Sequence, residues 1–154
     1  MTPLDFQDLL AEEIGKILTK NTYMTTGGER VKMNIYTQEL PVEESDDDAD
    51  PVPYIIVRIT SGEEIAEKNS DNMVHATVII AIWDDNKEAQ GHRDVMGVIN
   101  KLYRRFHQDP RIGGAYYAGN FNWALQDDNF FPYFIGAVKM DFVIPAIRRE
   151  DPYS

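Results

Sequence analysis

Residues 74–83, Val-His-Ala-Thr-Val-Ile-Ile-Ala-Ile-Trp, constrain the fold more than any other segment of the chain. In the middle of this segment nearly every side chain is apolar, so both faces of an extended strand would be apolar there. Such a strand lies at the centre of a sheet that is covered on both sides, or it meets a partner subunit. Asp84, Asp85 and Asn86 follow directly and are candidate helix N-caps. The sequence therefore predicts a central strand that leads into a helix.

Two segments carry apolar residues at helical spacing. The first, residues 3–20, opens with a Thr-Pro pair that suits a helix N-terminus. The second, residues 86–107, contains Gly91 and Gly97, which lower helix propensity by about 1 kcal/mol each relative to Ala, so we expect one of them to allow a close packing contact. The predicted buried stripes are Phe6, Leu10, Ile14 and Ile17 in the first helix, and Val95, Ile99, Leu102 and Phe106 in the second.

Four more segments have the alternation of a strand. They are residues 31–36, 54–60, 120–126 and 133–144. Together with the central strand they predict an α+β fold, in which an antiparallel sheet of four to five strands has two amphipathic helices packed on one face. The polar residues 61–73 form either a loose loop or a projecting hairpin arm.

The chain is expected to form one domain over residues 1–154, because 154 residues suffice for one core and 43% of them are hydrophobic. Residues 37–53 are the clearest shift in composition, with seven acidic residues and three prolines and no Lys or Arg. Mutual repulsion predicts an acidic flexible loop here. The alternate Asp residues 46–50 resemble the start of a calcium loop, but the required Gly and Glu are missing. Residues 146–154 are predicted to be a C-terminal tail.

The net charge of −11 argues against binding nucleic acid over a broad face, because phosphate contacts require clustered Lys and Arg. An acidic surface mostly confers solubility, although it can also line a passage for DNA through simple repulsion. The chain has no cysteine, which excludes disulfides, thiolate metal sites and thiol nucleophiles. No stretch reaches the roughly 18 apolar residues of a membrane span, so no membrane partner is expected.

The residues offer little catalytic chemistry. His75, His92 and His107 lack metal-binding spacing and are interpreted as surface or boundary residues. The pairs Asp84-Asp85 and Asp127-Asp128 could be the carboxylates of a metal-dependent hydrolase, but acids at strand ends usually cap helices or form turns. We therefore expect no catalytic residues, no metal and no cofactor, and a protein that is not an enzyme.

The order of elements resembles a family of phage proteins. An N-terminal helix, an acidic Pro-bearing loop, the strand Pro-Tyr-Ile-Ile-Val-Arg-Ile, a long polar hairpin, the strand Val-Ile-Ile-Ala-Ile-Trp, a helix ending Ile-Asn-Lys-Leu-Tyr-Arg-Arg-Phe and a final alternating strand are similar to those of the tail-terminator and tail-completion proteins of long-tailed bacteriophages, including prophage copies. The resemblance lies in the pattern over nearly the whole chain and not in a single motif.

This resemblance implies a structural protein that forms a homo-oligomeric ring, a hexamer, on the last ring of the tail tube. Its partners would be the tail-tube protein and the head-tail connector, with DNA passing through the ring without specific binding. Its location would be the virion tail, and the host cytoplasm during assembly. Another head-tail joining or tail-tube protein is the alternative within the same class.

A head-to-tail ring needs two different patches on each subunit. Glu63 and Glu64 in the polar hairpin are the first candidates for one patch. Phe130 and Phe131, in an Asn-Phe-Phe-Pro turn, are candidates for the other, because aromatic residues are enriched at interface cores.

Overall fold

A computed structural model describes residues 1–42, 50–66 and 71–146 of the chain. These residues form two helices and eight strands, which confirms the α+β class. In chain order the elements are α1 (Pro3–Ile17), β1 (Tyr23–Met24), β2 (Arg30–Val31), β3 (Asn34–Thr37), β4 (Tyr54–Ile65), β5 (Asp71–Trp83), α2 (His92–Gln108), β6 (Arg111–Ile112), β7 (Ala115–Leu125) and β8 (Tyr133–Ile144).

The main sheet has six strands in the order β3-β4-β5-β8-β7-β6, and it is mixed. The prediction of a wholly antiparallel sheet of four to five strands was wrong, because β3 pairs parallel with β4. The long connection over residues 38–53 allows this, since parallel neighbours need about a dozen residues or more to return to the same end of the sheet. The predicted strand 31–36 is also split: Arg30–Val31 pairs with Tyr23–Met24 in a separate two-stranded sheet.

Both helices pack on the same face of the sheet, which we call the inner face. The four residues predicted to be buried in the second helix are at most 1% exposed, as expected. The core that joins the two helices to the inner face includes Phe6, Leu10, Ile14, Val95, Ile99, Leu102, Phe106, Ile55, Val57, Val78, Ile80, Val138, Met140 and Phe142.

Each helix is shorter than predicted. The first ends at Ile17 and not at residue 20, whereas its start is as expected, with a capping box between Thr2 and Asp5. The second begins at His92 and not at residue 86, because the Asp84 and Asn86 side chains accept hydrogen bonds from backbone N–H groups two residues further on and so form turns. Asp and Asn side chains, which often cap helices, also form turns by accepting hydrogen bonds from nearby backbone N–H groups.

The described residues of the polar segment, 61–66 and 71–73, form the two paired strands of a hairpin arm, which was one of the two alternatives. The antiparallel pairing of β4 with β5 continues to Ile65 opposite Asp71, although residues 67–70 lie outside the described ranges. Strand β3 pairs only with Tyr54–Val57, so the far half of β4 extends beyond it. We call this end of the sheet the hairpin end.

Part of the proposed flexible loop, residues 43–49, lies outside the described residues, as do residues 147–154 of the proposed tail. At the end of the loop, Val52 is buried, and the Asp50 carboxylate accepts hydrogen bonds from the Val52 N–H and the Tyr133 hydroxyl. Tyr133 lies on β8, on the face of the sheet opposite the helices. Residues 50–53 therefore approach the start of β4 from this outer face. Among the described residues, neither helix has the length and apolarity to cross a membrane.

Candidate interaction surfaces

The sheet has an incompletely paired strand on each side. On one side β3 and Gln38 occupy the edge of β4 as far as Ile59; on the other, β6 pairs only with Ala115 and Tyr116 of β7. Within the described ranges, no strand pairs with the outer edge of residues 61–65 or of residues 122–125. Unpaired edges of this kind are templates for pairing with another chain.

The edge of β4 is closed as far as Ile59 by two glutamines. The buried Gln7 of α1 donates from Nε2 to the Val57 carbonyl at 2.8 Å and to Gln38 Oε1 at 2.9 Å. Gln38 itself has a φ of +70°, which ends β3, and its side-chain amide then bonds both the N–H and the carbonyl of Ile59. The amide thus replaces one residue of a neighbouring strand, and the free part of β4 begins beyond it, after a bulge between Ile59 and Ser61.

On the outer face at the hairpin end, an ionic network joins four strands. His75 of β5 contacts Asp141 of β8 through Nδ1 at 2.5 Å and Glu63 of β4 through Nε2 at 2.9 Å. Asn120 of β7 donates to the other oxygen of Asp141 at 2.7 Å. The hydrogen bond to Asp141, followed by that to Glu63, raises the pKa of His75 above its ordinary value. We call these four residues the histidine network.

The histidine network holds the strands together and does not form a converging site. The two carboxylates lie on opposite nitrogens of one imidazole, so no single point faces all three side chains. In the part of the chain that the structure describes, no three His, Cys, Asp or Glu side chains are grouped to hold a metal ion. His75 is partly exposed at the sheet surface, which agrees with its predicted boundary position.

Aromatic side chains project where α2 meets the free part of β7. Tyr103 stacks on His107 with ring centres 3.8 Å apart and meets Phe121 edge-on at 5.3 Å. Trp123 stands two residues from Phe121, on the same side of β7 by alternation, and its side chain is 52% exposed. We call Tyr103, His107, Phe121 and Trp123 the aromatic ledge. Exposed aromatic groups of this size are typical of protein interfaces.

The four predicted interface residues are not brought together. Glu63 and Glu64 are exposed on β4 at the hairpin end, where Glu63 is held by His75. Phe130 and Phe131 are exposed in the turn between β7 and β8, at the opposite end of the strands. The length of β5 separates the two ends by about 35–40 Å. The two pairs are therefore separate surfaces, as two different ring contacts would require.

The paired carboxylates proposed for a hydrolase do not form a common site. Asp84 makes a turn with Asn86, and Asp85 is exposed. Asp127 and Asp128 are exposed beyond the end of β7. Burial, and after it the charge of nearby Asp84, raises the pKa of Asp94 in the first turn of α2. Among the described residues, no third His, Asp or Glu joins these two carboxylates to hold a metal ion.

Sequence reasoning missed the histidine network and the ledge. Glu63, His75 and Asp141 are 12 and 66 residues apart, so only the register of β4, β5 and β8 reveals their contact. For the ledge a signal existed, because Phe121 and Trp123 alternate in a strand without charged residues. The alternation showed that Phe121 and Trp123 share one face of the strand. It did not show how much of that face α2 covers.

No protein-family model matches the chain, and comparison with curated protein sequences finds no significant match.

Proposed function

We propose that this protein is a tail-terminator protein of a long-tailed bacteriophage or prophage that acts as a hexameric ring. The ring would cap the last ring of the tail tube, stop its growth and present a surface to the head-tail connector. Its location would be the virion tail. It would act through its surfaces and carry out no chemistry.

The observation that carries this proposal is the pair of unlike surfaces on opposite sides of the sheet. One is the free acidic edge of β4, and the other is the free edge of β7 with the aromatic ledge beside it. A closed ring of identical subunits joined head to tail requires two different, complementary patches on each subunit. The order of elements also resembles that of tail-terminator proteins, and this resemblance is the reason for proposing a phage tail as the site of the ring.

The charge of the chain supports the same proposal. A net charge of −11 gives a surface that repels phosphate, and a ring through which DNA moves must not bind it. A ring with an acidic passage would let DNA through without specific contacts. The tail-tube protein and the connector would be the protein partners.

The test is deletion of the gene from a phage that carries it, followed by electron microscopy of the particles. We expect tails of uncontrolled length, or tails that do not join heads, and restoration of normal particles when the intact gene is supplied from a plasmid. A second plasmid carrying a frameshifted gene is the control. Normal infectious particles after deletion would refute the proposal.

A further inference from the structure

We propose that His75 is a pH-sensitive latch for the hairpin arm. In its doubly protonated form His75 holds the β4 strand of the arm, residues 61–65, to the sheet, and loss of one proton releases that strand. The latch works within a single chain, so it does not depend on the ring of the proposed function.

The contacts of the His75 ring require both of its nitrogens to carry a proton. Nδ1 faces a carboxylate oxygen of Asp141 at 2.5 Å, and Nε2 faces both carboxylate oxygens of Glu63 at 2.9 Å. An ionised carboxylate only accepts hydrogen bonds, whereas a neutral imidazole has one donor nitrogen and one acceptor nitrogen. A neutral ring can therefore bond one of the two carboxylates and presents a lone pair to the other. Deprotonation of His75 breaks one of these two contacts.

The contact with Glu63 is the one that we expect to break. Asp141 is the closer partner; its side chain is 16% exposed, and its second oxygen accepts a hydrogen bond from Asn120 at 2.7 Å. The Glu63 side chain is 58% exposed, and among the described residues its carboxylate bonds only His75. Water can therefore replace His75 around Glu63, whereas a less exposed carboxylate is costly to leave without a partner. The neutral ring stays with Asp141 and releases Glu63.

Glu63 lies on a weakly held part of β4. Within the described ranges, residues 61–65 pair only with β5, because β3 reaches no further along β4 than Val57. The sequence of this segment is Ser-Gly-Glu-Glu-Ile, and Gly and Glu are depleted in strands. The bond from Glu63 to His75 therefore supplements a backbone pairing that is weak by itself.

The part of β4 before the arm is fixed by contacts that do not depend on the protonation of His75. The Gln38 side chain bonds both the N–H and the carbonyl of Ile59, and the Thr60 hydroxyl donates to the His75 carbonyl at 3.2 Å. None of these groups titrates near neutral pH. The bulge that follows Ile59 is therefore the point about which residues 61–65 would move.

The direction of the pH effect follows from the charges around His75. The charged residues that face it from the neighbouring strands are Glu63, Arg58, Asp141 and Lys139. On β5 itself the nearest charged residue is Asp71, four positions away, and both helices pack on the opposite face. The hydrogen bonds to Asp141 and then to Glu63 raise the pKa of His75 above its ordinary 6.5. The latch is therefore closed below pH 6.5 and opens as the pH rises through the raised pKa.

The first measurement is the protonation of His75 in the unaltered chain. NMR of the imidazole nitrogens distinguishes a ring with two protons from a ring with one, and the spectrum of the His75→Gln variant assigns the signals. We expect both nitrogens of His75 to be protonated at about pH 6 and one of them to lose its proton at a midpoint above 6.5. A midpoint at or below 6.5 would overturn the inference.

Hydrogen exchange of the backbone amides measures the release of the strand. The protection factors of residues 61–65 are compared, over the same pH range, with those of residues 55–59 of the same strand. We expect the protection of residues 61–65 to fall about tenfold through the His75 midpoint, which is the factor of one hydrogen bond to a charged group. Residues 55–59 should change less. Protection of residues 61–65 that stays constant through the midpoint would contradict the latch.

A matched pair of variants separates the latch from the charge of the arm. The Glu63→Gln side chain can accept from a protonated ring or donate to a neutral one, so the protection of residues 61–65 should no longer depend on pH. Glu64→Gln removes the same charge at the next residue, which points to the other side of the strand, and should leave the pH dependence intact. Circular dichroism verifies the fold of both variants. The same pH dependence in the two variants would refute the role of Glu63.

Discussion

The two faces of the sheet are built on different principles. Under the helices the inner face is apolar from one strand to the next, and its central side chains are fully buried. The outer face carries His75, Asp141, Lys139 and Arg58 at its hairpin end, and Val52 and Ile56 are buried at the other end outside the main core. The inner face gains its stability from burial of apolar area, whereas the hairpin end of the outer face joins its strands through specific polar contacts.

This difference shows how one sheet can separate stability from recognition. Burial of apolar area is non-directional, so it does not require particular pairs of side chains to meet. However, a buried surface is not accessible to a partner. Polar contacts such as the histidine network contribute less net energy and fix register between strands. We therefore expect large effects on stability from the inner face and smaller, condition-dependent effects from the outer face.

The largest expected effect is at the centre of the inner face. Ile99→Ala should lower the free energy of unfolding by about 2–5 kcal/mol, because it removes buried methylene groups and leaves a cavity under the sheet. Urea denaturation followed by circular dichroism measures this. The control is Asn100→Ala, because Asn100 is the next residue of α2 and is exposed. This substitution should change the free energy of unfolding by no more than about 0.5 kcal/mol. Equal effects at both positions would contradict the packing of α2.

Alanine substitutions at Gly91, the N-cap of α2, and at Gly97, inside α2, should change stability in opposite directions. A Cβ at Gly91 would approach the Phe134 ring to 2.3 Å, so Gly91→Ala should destabilise the fold by about 1–3 kcal/mol. A Cβ at Gly97 meets no atom within 4 Å, so Gly97→Ala should stabilise it by up to about 1 kcal/mol through helix propensity. Thermal unfolding of both variants measures the sign of each change in stability. Stabilisation by both would show that Gly91 does not lie against Phe134.

On the outer face the expected effect is smaller and depends on pH. Asp141 and Glu63 raise the pKa of His75 above its ordinary 6.5, so protonated His75 stabilises the fold fully below pH 6.5. This contribution is lost as the pH rises through the raised pKa. Asp141→Asn should lower the free energy of unfolding by about 1 kcal/mol at pH 6 and by less at pH 9.

Urea denaturation at several pH values would test this, with His75→Gln as a second variant. The His75 ring contacts the carboxylates of Glu63 and Asp141, and Lys139 and Arg58 lie on the neighbouring strands. The unaltered chain should lose stability between pH 6.5 and 9 relative to His75→Gln. A constant difference between the two across that range would mean that His75 is not charged in the folded protein.

The inner face could be predicted from the sequence and most of the outer face could not. Helical and strand periodicity identified Val95, Ile99, Leu102 and Phe106 as buried, because burial of one face imposes a period on the sequence. The parallel pairing of β3 leaves no such trace, since it depends on where the chain returns after residue 53. The contact of His75 with Asp141 depends on register between distant strands, and so do the free edges of β4 and β7.

The smallest expected effect concerns the acidic connection between β3 and β4. Deleting residues 43–49 should change the free energy of unfolding by no more than about 0.6 kcal/mol, because closure entropy varies slowly with the length of a flexible loop. Residues 38–42 and 50–53 remain, and extended they span about 30 Å, which exceeds the length of β3.

The deletion should stop before Asp50, whose carboxylate bonds the Tyr133 hydroxyl on the outer face. A deletion of residues 43–50 also removes this hydrogen bond, so it should lower the free energy of unfolding by up to about 1 kcal/mol more than the deletion of residues 43–49. The difference between the two deletions then gives the contribution of Asp50. Thermal unfolding of the two deletion variants measures this difference. Tyr133→Phe, which removes the hydroxyl that bonds Asp50, is measured with them. A large loss of stability on the shorter deletion would show that the acids of residues 43–49 make contacts on which the fold depends.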